Sequence, residues 1–110
     1  TVRVRSASNP DGVWDFGPTG TRAISGKLRI LEGIRPGVVA FSLGHGHWAY
    51  GSRDVVIDGK TVPGDGRRGT GIHANAAMRT DPAQPDMCLT DPVGASAVFY
   101  DTQVRVTKEA

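Results

Sequence analysis

An all-β domain with long loops is the fold class this sequence predicts, and three observations predict it. Short segments alternate apolar and polar side chains with the period of two that a half-buried strand requires. Fifteen glycines and seven prolines, a fifth of the 110 residues, leave little room for helices. The longest stretch free of both, Ala95 to Ala110, itself ends in an alternating run. A chain of this length with 38% hydrophobic residues fills one modest core, so a single domain over residues 1–110 is expected.

Thr1 to Ser6 sets Val2 and Val4 to one side and Arg3 and Arg5 to the other, which reads as a strand with one wet face. Because Thr1 already lies inside that pattern and is not preceded by Met, the chain is expected to be cut from a longer protein. Asn9 to Gly20, dense in Gly, Pro, Asp and Asn, reads as loop. Lys27 to Leu31 alternates again, whereas Gly37 to Leu43 is apolar apart from Ser42 and is expected to be the core strand, covered on both faces. A loop over Gly44 to Arg53 leads to Asp54-Val55-Val56-Ile57, Asp58-Gly59 and Lys60-Thr61-Val62, a hairpin on a turn favouring positive φ. Pro63 to Gly94 reads as one long loop, within which His73 to Arg79 closes one or two helical turns between Gly71 and Pro82. Ala97 to Thr107 is the longest strand candidate.

A net charge of +2 with acids and bases intermixed gives no basic face, so nucleic acid is not an expected partner. No apolar run approaches the roughly 20 residues of a membrane-spanning helix. The one cysteine, Cys88, allows no internal disulfide, and with no base beside it reads as an inert, half-buried thiol.

Long loops in a small domain must repay their ordering entropy, which directs attention to their content. Gly64-Asp65-Gly66-Arg67-Arg68-Gly69 has the G-x-G-x-x-G spacing, but Pro63 precedes it and no crossover helix follows, so a plain turn is expected. His45, His47 and His73 invite a metal reading, yet no carboxylate or thiolate stands at matching spacing, and no metal-ligating residue is assigned. Gly44-His45-Gly46-His47-Trp48 follows the expected core strand, where glycines admit close approach and His and Trp can stack and donate hydrogen bonds; it reads either as a ligand-gripping loop or as a structural one. Asp91-Pro92 is explained by turn chemistry, and no catalytic constellation is visible in the chain.

Taken in order, Glu32-Gly33-Ile34-Arg35-Pro36-Gly37-Val38-Val39, Gly44-His45-Gly46-His47-Trp48, Gly71-Ile72-His73-Ala74-Asn75, Asp91-Pro92-Val93-Gly94 and Tyr100-Asp101-Thr102-Gln103-Val104-Arg105-Val106 resemble the C-terminal molybdopterin-dinucleotide-binding domain of the dimethyl sulfoxide reductase family. The resemblance runs from about Gly26 to Lys108. It implies a double-psi β-barrel, the aspartate decarboxylase-like fold, truncated at its N-terminus. It further implies a molybdopterin oxidoreductase whose bis(molybdopterin guanine dinucleotide) cofactor carries molybdenum or tungsten. The metal's protein ligand and a 4Fe-4S cluster would lie in upstream domains, so the fragment alone is expected to be inactive.

By position, the resemblance implies cofactor contacts from His45, Gly46, His47 and Trp48, from Asn75, and from Asp91 and Tyr100. Its Gly-His-Gly-His-Trp run is most similar to the branch that handles polysulfide, tetrathionate and arsenate. Partners implied are the upstream domains of the same subunit, an iron-sulfur electron-transfer subunit, and a membrane-anchor subunit; the implied setting is anaerobic respiration in the periplasm after twin-arginine export. The alternative is a stand-alone small β-barrel binding a peptide or partner subunit, its glycine loops serving topology alone.

Overall fold

The structure, a computed structural model, describes residues 1–16, 20–47, 51–98, 100 and 102–110. Among the described residues it is all-β apart from two short 3-10 turns at Gly66–Gly69 and Ala74–Ala77. At its centre lies the N-terminal strand β1 (Val2–Ser6), as its alternation requires. β1 pairs antiparallel along its whole length with the last strand, here β9 (Val104–Lys108), and on its other edge with the two-residue β4 (Ser25–Gly26). Arg3 and Glu109 form an ion pair across the first of these seams, and Arg5 Nη1 donates to Thr107 Oγ1.

Three two-stranded ribbons complete the described residues: β2 (Val13–Asp15) with β3 (Thr21–Ala23), β5 (Val55–Ile57) with β6 (Lys60–Val62), and β7 (Thr80–Asp81) with β8 (Gln84–Cys88). The β5–β6 turn is the expected one, with Asp58 at φ 49° and Gly59 at φ 74°, the pair of left-handed residues that a tight hairpin turn demands. The first ribbon is tied to the central sheet through Ile24, whose N–H donates to Gly12 O at 2.7 Å while its carbonyl accepts from Val4 N at 2.8 Å.

The core is small. Val4, Trp14, Phe16, Ile24 and Ala77 are buried, with Phe41, Ile72, Val104 and Val106 packed against them. Trp14 and Phe16 meet edge to face at 4.9 Å, and the Arg22 guanidinium caps the Phe16 ring at 3.3 Å from its centroid. Asn9 fastens the second 3-10 turn to this core: its amide donates to Val13 O and to Ala76 O, and its side-chain oxygen accepts from the N–H groups of Gly12 and Val13.

The structure departs from the expected organisation in four places. Lys27–Leu31 and Gly37–Leu43 form no strand among the described residues, and Val38 and Val39 of the expected core strand are exposed. Turns at Leu31–Ile34 and Arg35–Val38, on Gly33 and Pro36-Gly37, bend the segment, and no described strand pairs with it. β9 starts only at Val104; upstream, Ala97 makes an isolated bridge to Thr90. The regions 9–20 and 63–94 are not loop throughout, since they contain β2, β7 and β8. Cys88, at the end of β8, is exposed rather than half-buried. The Gly64–Gly69 stretch is the expected turn: the Asp65 carboxylate accepts from Arg67 N at 3.0 Å and pairs with its guanidinium, which holds the acid below and the base above their ordinary pKa values.

Candidate functional site

The histidine loop is held in place by backbone contact. Gly46 N donates to Thr70 O at 2.9 Å, and Gly46 sits buried at φ 73°. A Cβ there would stand 2.5 Å from His73 N and 2.8 Å from Ile72 C, so only glycine lets residues 44–47 lie on residues 70–73. Beside it, a methyl group on Gly71 would fall 2.8 Å from His45 Cβ. Two distant stretches of sequence are thus pressed together with glycine on each side of the seam.

This contact assembles a row of rings. His47 and His73 lie 4.3 Å apart between centroids, His73 meets the edge of Trp14 at 4.8 Å, and Trp14 continues to Phe16. His73 Nδ1 is buried and has no hydrogen-bond partner among the described residues. Burial, and secondarily the charge of His47, push the His73 pKa below its ordinary 6.5, so the ring is neutral at pH 7 and retains a polar atom to offer. Among the described residues, no three His, Cys, Asp or Glu side chains gather as a metal site would need.

A pH dependence follows. The unfolded chain binds a proton on His73 near 6.5 while the folded chain resists it. The stabilising effect is therefore complete above that value and is lost as the pH falls through the lower folded value. Chemical denaturation should show the midpoint dropping on acidification below 6.5, and the drop should be smaller in His73→Gln. A variant with the wild-type pH profile would contradict the assignment.

The other site residues are distributed around this seam. His45 is exposed and borders an open cleft of about 1060 Å³ beside Ile72, Val106 and residues 27–42. Asn75 is exposed on the 3-10 turn two residues beyond His73, and faces a second hollow of about 340 Å³ with Arg79, Met87 and Cys88. His45 and Asn75 thus border different hollows. Asp91 is engaged in its own turn, where Oδ1 accepts from Val93 N at 2.7 Å and Gly94 N at 2.8 Å; these bonds, the Gly94 one foremost, depress its pKa. Tyr100 is exposed, and Trp48 lies outside the described residues.

Two residues that support the site were not singled out by the sequence. Trp14 backs His73, and its signal is the Trp14/Phe16 alternation within a stretch otherwise rich in turn residues. Asn9 anchors the turn carrying Asn75 through a contact 67 positions away in sequence, for which the sequence holds no local signal.

Neither a family model nor a solved structure matches the chain. It is similar to a selenate reductase subunit of Mesobacillus selenatarsenatis, with 48% identity over 107 residues, 97% of this chain and 10% of that protein. The chain thus spans about a tenth of the length of the curated relative it matches.

Proposed function

We propose that the chain is a stretch of the catalytic subunit of a molybdopterin oxidoreductase that handles a small oxyanion of the selenate kind, and that its task is to hold the pterin cofactor. The observation that carries this is the 48% identity to a selenate reductase subunit over nearly the whole chain. The double-psi barrel, the guanine dinucleotide form of the cofactor, an upstream 4Fe-4S cluster, periplasmic export and an electron-transfer partner belong to the same proposal.

The residues present fit such a group. A pterin is flat and edged with hydrogen-bond donors and acceptors, and the chain offers an orphaned imidazole nitrogen on His73, the exposed imidazole of His45 and the exposed amide of Asn75. The cofactor, when bound, supplies the electron and oxygen-atom transfer; the protein supplies position and electrostatics. A neutral His73 can take part in a hydrogen bond without adding charge beside an already highly charged group. His47, packed against it, disfavours its protonation. Gly46 keeps the backbone of the loop low against residues 70–73, so that His45 and His47 are presented from a fixed base. Asn75 provides both a donor and an acceptor from one side chain.

The test compares two polar residues of one long segment in the full-length polypeptide. Asn75→Ala should lower molybdenum or tungsten content after purification about tenfold, since losing an amide paired with a buried ligand costs roughly 1–3 kcal/mol. Asp65→Ala should leave it near wild type, because the Asp65 carboxylate pairs with Arg67 within its own exposed turn and the substitution keeps the backbone N–H that donates to Gly51 O. Equal metal content in the two variants would remove Asn75 from the site.

A further inference from the structure

We infer that the outer face of the central sheet, at Arg5, Arg105 and Thr107, is a binding site for one doubly charged tetrahedral oxyanion of the sulfate or phosphate kind. The inference goes beyond the proposed function and needs neither the cofactor nor its reaction.

Charges that are intermixed along the sequence are sorted here by the strand register. Val4, Val104 and Val106 turn one side of the β1–β9 pair into the core, so alternation gathers Arg3, Arg5, Arg105 and Thr107 on the other. Arg5 and Arg105 are direct cross-strand partners. Side chains so placed start about 4.5–5.5 Å apart at Cβ, and like charges there repel. The two arginines of β1 lean the same way, each toward the residue two positions beyond its own partner. Arg3 meets the Glu109 carboxylate there, whereas Arg5 meets the Thr107 hydroxyl at 2.6 Å. The first charge is neutralised and the second is not. Among the described residues, neither Arg5 nor Arg105 pairs with a carboxylate.

An anion between the two guanidinium groups turns that repulsion into attraction, and the surrounding groups suit it. Thr107 Oγ1 accepts from Arg5 and so keeps its own hydrogen to donate. Arg5 is half-buried with its stem beside Gly12, where a Cβ would stand 2.9 Å from Arg5 Cγ, so its guanidinium is held in place before a ligand arrives. Arg105 is exposed and free to close on the ligand from the solvent side. The planar fork of each guanidinium matches a pair of oxygens on a tetrahedral oxyanion, and two uncompensated positive charges call for two negative ones. A nucleic-acid backbone needs a longer row of cations than this face offers.

Equilibrium dialysis of the full-length polypeptide against radiolabelled inorganic sulfate, at constant ionic strength, tests the site. Arg105→Gln and Thr107→Val should each weaken sulfate binding about tenfold, the loss that goes with one hydrogen bond to a charged group. Thr107→Ser keeps the hydroxyl and should bind within about twofold of wild type. Lys60→Gln, which removes the same charge from the exposed β6, should do so too. Valine is favoured in strands, so weakened binding in Thr107→Val is not a loss of fold. Displacement of sulfate by inorganic phosphate alone identifies the free ion as the ligand, and displacement by glycerol phosphate as well extends it to phosphate esters; either sustains the site. Wild type that retains no sulfate, Thr107→Val that binds like wild type, or Lys60→Gln that binds as weakly as Arg105→Gln would overturn the proposal.

Discussion

Gly46→Ala should destabilise the protein by roughly 3 kcal/mol or more and, on the proposed function, lower the molybdenum or tungsten content of the full-length polypeptide, because two costs coincide at one atom. A residue with a Cβ held at φ 73° is strained by about 1–2 kcal/mol. The added carbon also meets backbone, His73 N at 2.5 Å and Gly71 O at 3.0 Å, which cannot swing aside as a side chain would. The loop must then lift from residues 70–73, breaking the Gly46 N to Thr70 O bond and separating His47 from His73. Gly44→Ala isolates the backbone strain. Gly44 has a similar φ of 83° with nothing within 4 Å of its Cβ position, so only the strain of about 1–2 kcal/mol is expected there. Thermal unfolding and metal content of both variants check the difference; two equally mild substitutions would mean that the loop does not rest on His73.

Ile24→Ala should cost about 3–5 kcal/mol, at the upper end for deleting a buried aliphatic side chain. Ile24 is fully buried in a core that, among the described residues, has five buried hydrophobic side chains, and its backbone bridges Gly12 and Val4. The sparse sheets around it offer little to collapse into the cavity. Against a total stability of about 5–15 kcal/mol, such a loss removes much of the margin. Chemical denaturation should show it beside Val93→Ala, which alters a side chain 96% exposed and should stay within about 0.5 kcal/mol of wild type. A similar midpoint for the two would place the core elsewhere.

What the sequence made legible was local. β1, the Asp58-Gly59 hairpin, the 3-10 turn at Ala74–Ala77, the Asp65 turn and the Asp91 turn each follow from residues within a few positions of one another. The site was legible in the same measure: the glycine-histidine loop declares itself, but its packing on residues 70–73 joins segments more than twenty positions apart, which no spacing encodes. β8 carries no strand signal in the sequence because Pro85 sits within it, a residue that argues against a central strand and is tolerated in a two-stranded ribbon. Residues 27–43 failed for the opposite reason. Alternation and apolar content state that a segment should be covered, and are silent on whether the cover lies in the same 110 residues.

Native mass spectrometry of the full-length polypeptide, with metal analysis of the same sample, decides whether this chain helps to hold a pterin-bound metal. The expected result is a mass excess matching two pterin dinucleotides, together with stoichiometric molybdenum or tungsten. A folded protein at its bare polypeptide mass, with neither metal present, would contradict that assignment.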